Sequence, residues 1–318
     1  MSTTAPFLPT LAVDLVTAPS LLPDLARLVR GLEQTGIGAL TLSDGGLHPI
    51  HVAAHLAPLT RAVGLLPRTD AIYVEPFHLA TQLMSLDHLS DGRAGWLLQA
   101  ETDPSAAAAV GRAVLGLEAT HREAADVLRA ARALWDSWAP DAVVRDAARG
   151  VYVDASRLQY ADVEAETFSV RGPAITPRSP QGLLPVLVAD TDRAAVGEPV
   201  TSTAADGRVL DLDVSGGARA KPLAGRIAEA LDAGPTDGPG RVRLVRLVGL
   251  DLEADPVGTL GQLAAELRSR DLVEPAPNPR RSLRARLGLP VVPFRLDPVR
   301  RADRARLARS TSTLEESA

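Results

Sequence analysis

Short apolar runs alternate along the chain with longer segments in which apolar residues recur every three or four positions. The short runs predict strands, at residues 11–16, 38–42, 63–66, 95–100, 184–189, 208–214 and 242–252. The longer segments predict helices, at residues 23–33, 51–60, 76–89, 121–138, 223–233 and 257–270. The chain therefore predicts a repeated strand–helix order.

The strands are apolar on both faces, which is typical of a parallel sheet covered by helices. We predict an α/β fold, a TIM-like (β/α)8 barrel that is shortened or incomplete in its second half, because the pattern supplies seven strands where eight are needed. Residues 1–274 are assigned to the barrel domain, with an insertion loop at about 139–180 that is rich in Asp, Arg, Gly and Pro. Residues 275–318 are predicted to form a peripheral C-terminal extension that ends in a disordered tail.

Composition narrows the possible functions. The 318 residues are 46% hydrophobic and 23% charged, which is ordinary for a globular protein. No run approaches the ~20 apolar residues of a membrane span, and the N-terminus has no signal-peptide pattern, so we expect a cytoplasmic protein. The net charge of −5 argues against nucleic-acid binding. The absence of cysteine excludes thiolate chemistry and Cys-type metal sites.

Several sequence blocks carry a resemblance to a known family. The blocks are YVEPFHLA at 73–80, SLDHLSDGRAGW at 85–96, LWDSW at 134–138, FSVRGP at 168–173 and PRSPQG at 177–182. They resemble the bacterial luciferase-like flavin-dependent monooxygenases, in particular the branch that acts on nitrilotriacetate and dibenzothiophene sulfone. The resemblance runs from about residue 11 to 189 and returns at 282–290. It implies a (β/α)8 barrel, reduced FMN supplied by a separate flavin reductase, oxygenation of a small organic substrate, and a homodimer.

The resemblance also implies where a cofactor would lie, since barrel ligands sit at the carboxyl ends of the strands. Asp44 matches the family pattern there, and Asp70 begins the short run that precedes Tyr73. Thr191 and Arg193 are the donors that remain where the family binds the FMN phosphate. His121, at a position where the branch has Tyr, is the candidate catalytic residue.

Other positions depart from the family pattern. Asp190 and Asp192 flank the phosphate position, and each would cost about 1–4 kcal/mol at roughly 4 Å from a phosphate. Leu97 and Ala100 replace the Asn and Thr that are usual near the flavin ring. These departures leave open an alternative function, a degenerate paralogue that has lost flavin binding and serves as a partner subunit or a binding module.

Acidic residues follow nearly every predicted strand. They are Asp44, Asp70, Glu101, Asp190, Asp192, Asp213, Asp251 and Glu253. One interpretation is that each caps the N-terminus of the next helix. The other is an acidic barrel mouth that takes a cation or a cationic ligand.

Three histidines share one predicted helix face. His48, His51 and His55 are spaced by three and four residues, as a metal site on a helix would need. No fourth ligand is evident, so we predict no metal site.

Overall fold

The protein is described here by a computed structural model that covers residues 7–217 and 219–297. Within this part of the chain the strands are β1 (Thr10–Thr17), β2 (Ala39–Asp44), β3 (Gly64–Asp70), β4 (Trp96–Gln99), β5 (Val143–Asp146), β6 (Val151–Val153), β7 (Val163–Glu164), β8 (Ser169–Val170), β9 (Val186–Ala189), β10 (Gly207–Asp213) and β11 (Val242–Val248). The α-helices are α1 (Leu22–Gln34), α2 (Pro49–Leu56), α3 (Pro76–Leu89), α4 (Pro104–Ala109), α5 (Leu117–Trp135), α6 (Arg193–Val196), α7 (Ala220–Ala233), α8 (Pro256–Ser269) and α9 (Leu283–Arg286).

Seven parallel strands close into a barrel. The order around it is β1, β2, β3, β4, β9, β10, β11 and back to β1. The predicted α/β barrel is therefore confirmed. In the described residues the ring closes without an eighth strand, because β11 pairs directly with both β10 and β1.

The insertion after α5 forms two small antiparallel pairs, β5 with β6 and β7 with β8, outside the barrel. The predicted helix at 121–138 ends earlier than expected, at Trp135. Trp138 lies beyond the helix and donates its indole N–H to the carbonyl of Ala174 in the insertion, at 2.7 Å. The aromatic side chain thus joins the insertion to the helical shell.

Leucine side chains fill the lower half of the barrel interior. Leu66, Leu97 and Leu187 come from three neighbouring barrel strands and are completely buried. The short helix α9 closes the amino-terminal end of the barrel and adds Leu283 and Leu287 to the same cluster. Burial of this apolar surface is the main favourable contribution to folding of the barrel.

Two glycines, one at the start of β3 and one directly before β4, make room for α9. A Cβ atom at Gly64 would lie 2.8 Å from Leu283, and one at Gly95 would lie 3.0 Å from it. Any larger residue would therefore push the helix away from the strands.

Buried arginines form hydrogen bonds that hold the amino-terminal end of the barrel together. Arg286 donates to the carbonyls of Gly38 and Ala62, where β2 and β3 begin. Arg243 of β11 donates to the carbonyl of Leu287 at 2.8 Å. Residues 283–289 therefore belong to the barrel body, which corrects the expected peripheral position of the extension. The predicted disordered tail falls largely at 298–318, outside the described residues.

We expect Leu283→Ala to lower the free energy of unfolding by about 2–4 kcal/mol, because it leaves a cavity against Gly64 and Gly95. The matched control is Leu89→Ala, since Leu89 is 58% exposed and should cost well under 1 kcal/mol. Urea denaturation of both variants measures the difference. Equal losses would show that α9 does not seal the barrel.

Candidate functional site

A pocket of about 300 Å³ opens at the carboxyl ends of β2, β3 and β4. Helices α2 and α3 form its outer wall. Its polar lining consists of Asp44, His48, Arg68, Thr69, Asp70, Glu75, His78, Gln82 and Gln99. Its position at the strand ends is where barrel proteins bind their ligands.

Asp70 and Gln99 form the inner end of this pocket. Gln99 Nε2 donates to Asp70 Oδ2 at 3.0 Å. The remaining side-chain oxygens of both residues, and the hydroxyl of Thr69, are buried without a hydrogen-bond partner. Unpaired buried polar atoms are costly, so this end of the pocket is suited to a ligand that supplies hydrogen bonds.

Burial raises the pKa of Asp70 to about 6, although the hydrogen bond from Gln99 acts in the opposite direction. A carboxyl group with this pKa gains or loses a proton close to neutral pH. Asp70 can therefore act as a hydrogen-bond donor below pH 6 and as an acceptor above it.

One wall of the pocket is held by a buried carboxylate. Glu123 on α5 accepts two hydrogen bonds from Arg112, at 2.7 and 2.6 Å, and one from the backbone N–H of Tyr73. Tyr73 has a φ of +59°, an unfavourable value for a bulky residue, and its hydroxyl accepts a bond from the N–H of Leu115. These contacts fix the segment that carries Val74 and Glu75 into the pocket.

Two of the three histidines on the predicted helix face lie side by side. The rings of His48 and His51 lie 4.9 Å apart, while His55 is exposed on α2. Burial and the neighbouring His51 lower the pKa of His48, which leaves it neutral at pH 7. Among the described residues no group of His, Asp and Glu could hold a metal ion.

Arginines neutralise the two aspartates that flank the predicted phosphate position. Arg68 binds both oxygens of Asp192, at 2.9 and 2.5 Å. Arg208 binds both oxygens of Asp190 in the same way, at 2.5 and 2.9 Å. The expected acidic mouth is thus corrected on this side, because each carboxylate lies in a two-pronged ion pair.

A third arginine lies deeper in the barrel. Arg246 of β11 is 4% exposed and donates from Nε to Asp211 Oδ1 at 2.7 Å. Its NH1 atom lies 3.6 Å from Asp14, which also accepts bonds from Thr41 and Ser43. We did not predict this cluster. The sequence feature that could have predicted it is Asp14, a charged residue at an inward-facing position of the otherwise apolar strand β1.

Thr191 donates within the protein. Its backbone N–H and its hydroxyl both bind Asp211 Oδ2, at 3.1 and 2.9 Å. Both of these donors, expected to bind phosphate, therefore already have a carboxylate partner.

The structure separates Arg193 and His121 from the pocket at β2–β4. Arg193 NH1 is buried without a partner, and its NH2 lies 3.4 Å from the carbonyl of Thr201. His121 Nε2 bonds to the carbonyl of Ala194 at 3.0 Å, and its ring packs against Gly197. In this arrangement His121 ties α5 to α6.

Four of the five remaining strand-end acids cap local turns, and the fifth, Glu253, donates its backbone N–H to Asp251. Asp44 accepts from the N–H of Gly46, Glu101 from those of Thr102 and Asp103, Asp213 from that of Ser215, and Asp251 from those of Glu253 and Ala254. The predicted helix N-caps are wrong at these positions, because the N-caps of α2, α4, α7 and α8 are His48, Asp103, Arg219 and Asp255. The four acids bind backbone N–H groups of the turns that directly follow them.

Comparison with known proteins places the chain in a family. Residues 6–244 match the family described as luciferase-like monooxygenase. The chain belongs to the luciferase-like monooxygenases. The predicted resemblance is confirmed, and so is its branch, since dibenzothiophene-sulfone and nitrilotriacetate monooxygenases are among its relatives.

Relatives of the chain differ in how much of their length they share with it. The chain is 37% identical over 149 residues to dibenzothiophene-sulfone monooxygenase of Rhodococcus erythropolis. This match covers 46% of the chain and 33% of that protein. Nitrilotriacetate monooxygenase component A of Aminobacter aminovorans is 31% identical to the chain. This match covers 54% of the chain and 40% of that protein's length. A subunit of the pristinamycin IIA synthase of Streptomyces pristinaespiralis is 32% identical over 274 residues, 83% of this chain and 88% of its own.

The match to the first of these relatives thus spans about a third of that relative's length. Among solved structures, the EDTA monooxygenase of Chelativorans sp. BNC1 superposes with a TM-score of 0.67 at 17% identity, over 91% of this chain and all of that one. This likeness supports the barrel fold. No helix within the described residues is long and apolar enough to cross a membrane.

Leu97 and Ala100 occupy different environments from those expected. Leu97 is completely buried in the leucine layer below the pocket, with Leu66 and Leu187. Ala100 follows β4 and packs against the core outside that layer. Gln99, between them, is the residue of this segment that lines the pocket.

We expect Asp70→Asn to stabilise the protein at pH 8 by about 2 kcal/mol and to leave stability near pH 4 almost unchanged. Between about pH 4 and 6 the unfolded chain releases the Asp70 proton while the folded chain keeps it, which favours unfolding as the pH rises. Urea denaturation across this range measures the effect.

The control is Asp44→Asn at the exposed end of β2, which removes a carboxylate that is not buried. A pH profile of Asp70→Asn that runs parallel to that of the unsubstituted protein would contradict the shifted pKa of Asp70.

Proposed function

We propose that this chain serves as a flavin-dependent monooxygenase that oxygenates a small organic substrate. The observation that carries the proposal is the pocket at the strand ends, with unpaired buried oxygens on Thr69, Asp70 and Gln99, in a chain of the luciferase-like family. The relatives named as monooxygenases support the reaction type. The proposed cofactor is reduced FMN.

A flavin would supply the electrons that activate dioxygen, chemistry that side chains alone do not provide. The pocket end fits the polar edge of a flavin ring, because Asp70 and Gln99 offer both donor and acceptor positions. The phosphate end does not fit, because the donors of Thr191 are taken by Asp211. No reaction step is therefore assigned to a phosphate-anchored cofactor.

The chain's own residues would bind and orient what enters the pocket. Gln99 and Asp70 would hydrogen-bond the ligand, and the segment fixed by Glu123 would shield it from water. Asp70 would hold a proton at the inner end below about pH 6. Asp44 lines the outer side, as the resemblance implies for a cofactor-binding residue.

A separate flavin reductase is the proposed partner, supported by the relative named as component A. A homodimer remains a proposal that follows from the family resemblance, and a cytoplasmic location remains a prediction from the sequence.

A second function is favoured by the paired charges of the mouth: a partner subunit that has lost flavin binding. Arg68, Arg208 and Arg246 are all committed to aspartates of the same chain. One relative that matches over most of its length is named as a subunit of a synthase. The arrangement therefore suits a chain that works beside another subunit.

Anaerobic titration with reduced FMN, followed by oxidised FMN, separates the two functions. Saturation in the low micromolar range, about −8 kcal/mol, is expected of the monooxygenase. No saturation up to roughly 1 mM, weaker than about −4 kcal/mol, would contradict it and favour the partner subunit.

If flavin binds, Gln99→Leu should weaken it about tenfold, close to 1.4 kcal/mol, because a similar-sized apolar side chain removes the hydrogen bonds. Gln34→Leu on α1, which does not line the pocket, is the control and should leave the dissociation constant unchanged. The same titration measures both. Identical constants for Gln99→Leu and the unsubstituted protein would place the flavin elsewhere.

A further inference from the structure

Three donors converge on the carboxylate of Asp211. The backbone N–H and the hydroxyl of Thr191 bind Oδ2 at 3.1 and 2.9 Å, and Nε of Arg246 binds Oδ1 at 2.7 Å. A backbone amide, a hydroxyl and a guanidinium together form a donor set suited to phosphate or a carboxylate ligand. In this chain the anion that they bind is one of its own side chains.

This donor set is built into rigid parts of the barrel. Arg246 and Asp211 are lateral neighbours on β11 and β10, and the Arg246 side chain is 4% exposed. The Asp211 side chain is 10% exposed, and Thr191 at the loop after β9 opens to solvent. An oxoanion arriving from the mouth would therefore meet the Asp211 carboxylate before it reached the guanidinium.

Three arginines of the mouth do not offset this repulsion, because each is already paired with an aspartate. Arg193 NH1 has no hydrogen-bond partner, but it is buried. Arg68 and Arg208 are held by Asp192 and Asp190. Arg246 also faces Asp14 at 3.6 Å. A phosphate beside Thr191 would find each of these three arginines already paired and would lie against a like charge.

We propose that Asp211 acts as an internal anion that fills an oxoanion site, so that a ligand gains no affinity in the barrel mouth from carrying a phosphate group. Asp211 is then the residue that makes the mouth indifferent to the phosphate. The proposal deepens the proposed function and rests on it only where flavins are used as probes: the mouth would accept riboflavin as well as FMN.

The test compares Asp211→Ala with Asp213→Ala. Both remove one negative charge from β10, but Asp213 is exposed and bonds locally to the N–H of Ser215. Three probes are used with each variant and with the unsubstituted protein: inorganic phosphate, riboflavin and FMN. Thermal unfolding reports phosphate binding, and fluorescence titration reports the two flavins.

The unsubstituted protein and Asp213→Ala are expected to bind FMN and riboflavin with constants within about threefold, and to show no rise in Tm with about 10 mM phosphate. Asp211→Ala should show a rise in Tm with phosphate and a preference for FMN over riboflavin of about tenfold. Adding Thr191→Val to Asp211→Ala should reduce both gains, because it removes one donor.

The proposal is overturned if the unsubstituted protein already prefers FMN by about tenfold, or if Asp211→Ala and Asp213→Ala respond equally to phosphate. Should Asp211→Ala fail to fold, Asp211→Asn retains the side-chain size and the acceptor for Arg246, and it must respond to phosphate more than the unsubstituted protein does.

The flavin titrations and the phosphate measurement test different proposals, so one proposal can be refuted while the other stands. A phosphate response in Asp211→Ala without binding of either flavin would contradict the flavin-dependent function and support the oxoanion site. Binding of both flavins by every variant, with no phosphate response, would refute the oxoanion site and leave the flavin-dependent function in place.

Discussion

The buried guanidinium of Arg246 sets the conditions for the rest of the barrel mouth. A charge removed from water must be paired and hydrogen-bonded, or it destabilises the fold by several kcal/mol. Arg246 meets this requirement through Asp211 and Asp14, and these aspartates in turn bind Thr191, Thr41 and Ser43. The result is a polar layer across β1, β2, β10 and β11 that lies above the leucine layer. It marks where the hydrophobic core ends and where the mouth begins.

The other side of the mouth is organised differently. Around β3 and β4 the partly buried ion pair of Arg68 with Asp192 crosses the opening, while Asp70 and Gln99 retain unpaired oxygens. The mouth is thus divided into a half whose polar groups satisfy one another and a half whose groups lack partners. A ligand gains more from the second half, because there it supplies hydrogen bonds that the protein does not make for itself.

The sequence predicted the elements well because their apolar periodicity is strong and local. Helix α3 has the bounds predicted for it, and the seven barrel strands all occur near their expected positions. The site was harder to predict because its interactions are not local. Asp192 pairs with Arg68, which lies 124 positions away in the sequence. Because nearly all cationic residues of the chain are arginines, no sequence pattern identifies Arg68 as the partner. Leu97 was misplaced in depth. It lies two positions before Gln99 and faces the same side of β4, but it belongs to the leucine layer below the pocket.

The ring of seven strands and the ion pairs in the barrel mouth are two aspects of one geometry. The diameter of a closed barrel grows with the number of strands, so a ring of seven is narrower than one of eight. In a narrow ring the inward side chains of neighbouring strands meet, and long arginine side chains reach acids two strands away, as Arg68 on β3 reaches Asp192 after β9. Space that a wider barrel would leave for a ligand's anionic end is occupied by the protein's own ion pairs. The pocket that remains lies to the side, between the strand ends and helices α2 and α3, where the width of the barrel does not limit it.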